Sequence, residues 1–198
     1  MFIPVVDVGG QYNHMITRAL TELRVKSKLI PMSITAKDLE EMKADGLVMG
    51  GGPQRIGFEA EKLENVSKVI KEAKIPMLGL CVTHQLMAVV FGGKAEQAKH
   101  PEYGPVRVYV DNKDEILNDF NESFLAWETH NDEVTALPEN FVVLAHSEKC
   151  RIQVMRHETK PIFGVQFHPE AVQTENGALI FKNFIEICKK FMFTRKKL

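Results

Sequence analysis

The sequence predicts an α/β fold: a single open, mostly parallel twisted sheet with helices on both faces and antiparallel strands at one edge. Three observations lead there. Up to about Gly92, short apolar runs alternate with stretches of helical periodicity, the pattern of strand–helix crossovers in a parallel sheet. Beyond Gly92 the rhythm changes to strand-like runs separated by turn residues, with little helix between them. An amphipathic segment, "ENGALIFKNFIEICKKF", then closes the chain.

In order along the chain, "FIPVVDV" reads as a buried strand. Met15, Ile16, Ala19, Leu20 and Leu23 then recur at helical spacing. "SKLIPM" is a second strand, Thr35 caps a short helix carrying Leu39 and Met42, and "GLVMG" is a third strand. Leu63, Val66, Val69 and Ile70 mark another helix, and "PMLGL" is the fourth strand. "GPVRVYV", "SFLAWET", "FVVLAHS", "RIQVMRH" and "IFGVQFH" are expected as antiparallel additions to one sheet edge. Leu179, Ile180, Phe184, Ile187 and Cys188 form the apolar side of the last helix, and the basic end "KKFMFTRKKL" is expected to fray. With no repeat, linker or low-complexity segment, residues 1–198 are expected to form one domain.

Composition narrows the function classes. The 25 basic and 26 acidic residues leave a formal net charge of −1, which supplies no basic field for nucleic acid or membrane surfaces. Cys81, Cys150 and Cys188 are widely spaced and odd in number, unlike a disulfide framework or a zinc site, and fit a reducing cytoplasm. The start of the chain carries no basic leader, and no apolar run approaches the roughly 20 residues a bilayer requires. A cytoplasmic protein is expected.

Ligands of open parallel sheets bind beyond the carboxyl ends of the strands. Three segments fall there: "DVGGQY" after the first strand, "GGGP" (Gly50 to Pro53) after the third, and Cys81 after the fourth. A cysteine on a strand-to-helix turn resembles a nucleophile elbow, with the helix N-terminus favouring thiolate. A buried inert cysteine is the alternative. "VQFHPE" adds His168, a base that can take and return a proton, and Glu170, a carboxylate able to orient the imidazole. The glycine turn lets backbone amides approach an oxyanion, though such turns are common.

Together these motifs resemble the class I glutamine amidotransferase family: a glycine oxyanion turn, a G-x-C-x-G-x-Q elbow and a late H-P-E. Within it, "DVGGQYNHMITRALTEL", "AWETHND" and "KPIFGVQFHPE" look like the free-standing glutaminase subunits of two-subunit, archaeal-type GMP synthetases. The resemblance implies Cys81 as nucleophile, His168 as general base and acid, and Glu170 as its orienting partner. It implies an oxyanion hole from the backbone of Gly52 and Val82, and glutamine held by Gly51, Gln85, Thr129, His130 and Asn131. It further implies that ammonia passes to an ATP-pyrophosphatase (synthetase) subunit that aminates XMP to GMP, so that ATP and Mg²⁺ belong to that partner. No cofactor or metal is expected in this chain.

The chain departs from the family elbow at Thr83, where glycine is the pattern; its branched side chain is expected to push the helix outward or tilt the nucleophile. Gly10 and Gly50 stand where serine is usual, Thr129 likewise. The competing readings are a glutaminase subunit for an anthranilate or carbamoyl-phosphate type synthetase, a non-catalytic docking homologue, and a nucleotide-binding Rossmann protein. The last lacks the G-x-G-x-x-G spacing.

Overall fold

The computed structural model describes residues 1–195. Its nine strands form one sheet in the order β2-β1-β3-β4-β9-β8-β7-β5-β6. The parallel half is built from β1 (Val5–Asp7), β2 (Leu29–Pro31), β3 (Leu47–Met49) and β4 (Met77–Leu80). The antiparallel half comprises β5 (Lys94–Val110), β6 (Ser123–Ala136), β7 (Phe141–Ser147) and β8 (Val154–His157). Between the halves lies β9 (Ile162–Val165), parallel to β4 and antiparallel to β8.

That placement corrects one expectation. "IFGVQFH" is not an antiparallel edge strand; its Ile162–Val165 segment pairs residue for residue with Met77–Leu80 at the centre of the sheet. The short apolar run carries no directional information, and long-range pairing decides it. β5 also begins ten residues before "GPVRVYV", in a polar stretch paired with β6.

Alternation along the strands splits the core between the two faces. Val5, Val48, Leu78, Leu80 and Val165 face α1 (Asn13–Glu22) and α6 (Ala178–Arg195). Val6, Leu47, Met49, Met77 and Ile162 face α2 (Ala36–Glu41), α4 (Glu64–Glu72) and α5 (Val82–Val90). A short α3 (Ile56–Glu59) follows the glycine turn. Thr35 caps α2 as expected, within a capping box closed by Asp38. Cys188 is buried in the core on the expected face of α6. The basic chain end remains helical through Arg195, and residues 196–198 lie outside the described residues. Among the described residues no helix is long and apolar enough to cross a membrane.

Candidate active site

β4 ends at Leu80 and α5 begins at Val82, so Cys81 alone makes the turn. It does so at φ 52° and ψ −111°, a conformation costly for any residue with a Cβ and characteristic of functional positions. Backbone bonds on both sides hold it there: the Cys81 N–H donates to the Val165 carbonyl at 2.8 Å, and its own carbonyl accepts from Gln85 N–H at 3.1 Å. Cys81 is 6% exposed, at the floor of a cleft of about 300 Å³. Cys150 and Cys188, by contrast, are wholly buried, and burial pushes both thiols up.

His168 follows β9 and reaches the same cleft. Its Nδ1 lies 2.8 Å from Glu170 Oε1, which assigns the Nδ1 proton to that bond and leaves Nε2 for the sulfur. The Thr129 hydroxyl is 3.0 Å from Nε2, and Cys81 lines the same cleft beside the imidazole. Burial pulls the imidazole's basicity down, but the Cys81 sulfur and the Glu170 carboxylate more than offset it. His168 ends well above the ordinary histidine range. Tyr12 packs its ring edge-on against the imidazole, centroids 5.4 Å apart. The motif is anchored to β6: His168 N–H donates to the Trp127 carbonyl at 3.0 Å, and the Thr174 hydroxyl donates to the His168 carbonyl at 2.6 Å.

The glycine turn completes the wall. Asn13 donates through Nδ2 to the Gly51 carbonyl at 3.1 Å and to Asp7 Oδ1 at 2.7 Å, fixing which way the Gly51–Gly52 peptide faces. The small residues here are required by the packing. A Cβ at Gly50 would lie 2.1 Å from Asn13 Oδ1, and one at Gly10 would lie 2.2 Å from the Gly51 carbonyl oxygen.

Thr83 does not displace the elbow. It is fully buried, donates to the Met49 carbonyl at 2.7 Å and accepts from the Leu80 N–H at 2.9 Å. The close approach of helix and strand is supplied by Gly79, where a Cβ would meet the Thr83 backbone at 3.0 Å. A hydroxyl that bonds both strand ends fits where a purely apolar branched side chain would leave those groups unpaired.

Of the residues singled out in the sequence, Gly51, Gly52, Cys81, Thr129, His168 and Glu170 line the cleft together. Gln85 and His130 turn their side chains into a buried network behind it, and Asn131 is exposed. Several participants escaped the sequence reading. Asn13 follows directly on "GGQY", and Gln166 lies inside "VQFHPE", just beyond the end of β9 and two residues before His168; a polar side chain in an otherwise apolar run leading to the motif is the signal that could have found it. Arg55 binds the buried Asp132 at 2.6 Å, a pairing between distant parts of the chain that no local pattern announces. Glu102, His130 and Cys150 place possible metal-ligating atoms within 4.8 Å of one another. The Glu102 carboxylate already accepts from Ser147 at 2.7 Å and Gln153 at 2.8 Å, so this group is a hydrogen-bonded network.

A strained cysteine at an elbow, with a carboxylate-oriented imidazole and a glycine turn around one cleft, is a constellation for acyl transfer from an amide. The chain belongs to the class I glutamine amidotransferase family, whose model matches residues 4–188. Among curated proteins, the glutamine-hydrolysing GMP synthase subunit of Methanocaldococcus jannaschii is 42% identical over 94% of this chain and 97% of its own length. The protein of the same name from Saccharolobus solfataricus is 44% identical over 96% of this chain and 100% of its own. The crystal structure of a GMP synthase subunit from Thermoplasma acidophilum superimposes with a TM-score of 0.94 at 41% identity, covering 99% of this chain and 98% of that one.

Proposed function

We propose that this chain is the glutaminase subunit of a two-subunit GMP synthase, an enzyme that hydrolyses glutamine to glutamate and ammonia through Cys81, His168 and Glu170. The observation that carries the chemistry is the Cys81 elbow at φ 52° in one cleft with the 2.8 Å His168–Glu170 pair. The likeness to glutamine-hydrolysing GMP synthase subunits over nearly the whole of each chain supports the pathway assignment.

The thiolate of Cys81 attacks the side-chain amide carbon of glutamine, and the carbonyl oxygen becomes an oxyanion facing the Gly52 and Val82 amides. His168 gives its proton to the amide nitrogen, the C–N bond breaks and ammonia leaves, with the γ-glutamyl group as a thioester on Cys81. Water then attacks the thioester carbon and His168 takes a proton from it. The C–S bond breaks, releasing glutamate and restoring the thiolate–imidazolium pair. Glu170 keeps the Nδ1 proton in place throughout. Gly51 and the backbone of the Thr129–Asn131 segment hold the substrate, braced from behind by Gln85 on the Asp132 carbonyl.

The ammonia passes to an ATP-dependent synthetase subunit that aminates XMP to GMP. ATP and Mg²⁺ are required on that subunit, and the glutaminase needs no cofactor of its own. Both work in the cytoplasm. The test is ammonia release from glutamine and GMP formation from XMP, with and without the synthetase subunit. Cys81→Ser is expected to abolish glutamine-dependent GMP formation while ammonia-dependent formation survives. Retained glutaminase activity in Cys81→Ser would overturn the assignment.

A further inference from the structure

Behind the cleft, a chain of buried polar groups has its direction fixed by one backbone carbonyl. The Asp132 carbonyl can only accept hydrogen bonds, and two donors converge on it: Gln85 Nε2 at 2.6 Å and His130 Nδ1 at 3.0 Å. Gln85 must therefore present its NH₂ group to that carbonyl. The same nitrogen reaches Gln166 Oε1 at 3.0 Å, so Gln166 turns its own NH₂ the other way. There its Nε2 lies 3.7 Å from Cys81 Sγ, hydrogen-bonding distance for sulfur. On the far side, His130 carries a proton on Nδ1 and faces Glu102 Oε2 through Nε2 at 3.1 Å. Gln166 is fully buried, and Gln85, His130, Asp132 and Glu102 are nearly so.

We propose that Gln166 is a further residue of the reaction: its amide N–H donates to the Cys81 sulfur and supports the thiolate, aimed by a relay in which the Asp132 carbonyl fixes Gln85 and Gln85 fixes Gln166. The inference rests on Cys81 being the nucleophile. A thiolate at the floor of a cleft has lost much of its water, and a fixed donor replaces part of that solvation. An amide suits the position because it does not titrate. His168 and the buried Glu128 are ionisable groups that interact with the sulfur. His168 must cycle its proton, whereas Gln166 donates in every state. The relay also explains why Gln85, on the helix side of the elbow, and Gln166, beyond the end of β9, are buried against each other: each sets the other's orientation.

The test is alkylation of the full-length protein by iodoacetamide between pH 5 and 10, read by mass spectrometry at Cys81. The variants are Gln166→Met, which removes the donor at similar length, and Gln166→Glu, which keeps the shape and replaces the donor with an acceptor. Gln166→Met is expected to slow Cys81 alkylation by about tenfold on the rising limb of the pH profile, the equivalent of one pKa unit. It should move the midpoint upward and lower kcat for glutamine hydrolysis more than it changes KM. Gln166→Glu is expected to be slower still. A purely packing role predicts the reverse order, with the isosteric Glu variant nearest the parent. That order, or a parent-like profile in folded Gln166→Met, overturns the proposal. Gln85→Met provides the test if neither substitution at position 166 folds. It removes the donor that holds Gln166 Oε1 and is expected to slow alkylation about threefold by freeing the Gln166 amide to turn, and a parent-like rate would overturn the proposal. Failure of the parent itself to label at Cys81 with a glutamine-analogue electrophile would instead refute the nucleophile.

Discussion

The hydroxyl of Thr83 donates to the carbonyl of Met49 across 2.7 Å, joining the helix side of the elbow to the strand that leads into the glycine turn. The same oxygen accepts from the Leu80 N–H at 2.9 Å. The nucleophile's turn and the oxyanion turn are thus held in register by one buried side chain.

Thr83→Val keeps the shape and leaves the Leu80 N–H buried without its acceptor. Unfolding in urea should show a loss of about 1–3 kcal/mol, with glutaminase activity reduced. Thr83→Ser should retain most of both. Equal stability of the Val and Ser variants would show that the hydroxyl is idle.

Gly50 and Asn13 are coupled by contact. Gly50→Ala would bring a Cβ to 2.1 Å from Asn13 Oδ1, and a destabilisation of at least about 1 kcal/mol is expected from such overpacking. Asn13→Ala should relieve the clash while releasing the Gly51 carbonyl. The double variant should then be more stable than Gly50→Ala alone, yet less active than the parent. A double-mutant cycle with no interaction energy would contradict the packing argument.

His168 and Glu170 should separate in kinetics. His168→Ala removes proton transfer, worth roughly 10²–10⁴-fold. Glu170→Gln retains an acceptor for Nδ1–H and should cost less. A larger loss from Glu170→Gln, measured as ammonia release, would assign the carboxylate a different role.

Two buried groups tilt stability against pH in opposite directions. Burial holds His84 neutral, its pKa lowered to about 3. Below the unfolded histidine value near about 6.5 the unfolded chain binds the extra proton, so stability falls as pH drops from there toward about 3. Glu128 is raised well above its ordinary value, by burial first and then by Glu102 and Cys81. Its contribution is fully present below the unfolded carboxylate range and is lost as pH rises above about 4.5. Glu128→Gln should therefore stabilise the protein at about pH 8 by on the order of 1 kcal/mol, with the gain vanishing near pH 4. Thermal melts of parent and variant across that range provide the check.

The sequence made β1, β3 and β4 readable because each is a short apolar run closed by a turn residue. It also made the catalytic group readable, since Cys81 sits on its elbow and His168–Glu170 is a local pair. The direction of β9 was hidden because a run such as Ile162–Val165 looks the same in either orientation. The contacts of Thr129 with His168 and of Gln166 with Cys81 were hidden for a different reason. They join residues 39 and 85 positions apart. At Thr83 the sequence shows the bulk of a branched side chain but not the backbone groups of Leu80 and Met49 that its hydroxyl bonds.

The central place of β9 bears on how the molecule is made. Residues emerge from the ribosome in order, and β4 and β8 both precede the strand that must lie between them. Until Ile162–Val165 is available, those two strands have open edges facing an empty slot, the kind of edge that invites wrong pairing. The nucleophile is then already synthesised but has neither the Val165 carbonyl that holds its turn nor the imidazole that follows two residues beyond Gln166. The strand that closes the sheet therefore also brings the carbonyl that holds the Cys81 turn and the histidine that serves it, so the cysteine is complete as a nucleophile only in the closed sheet.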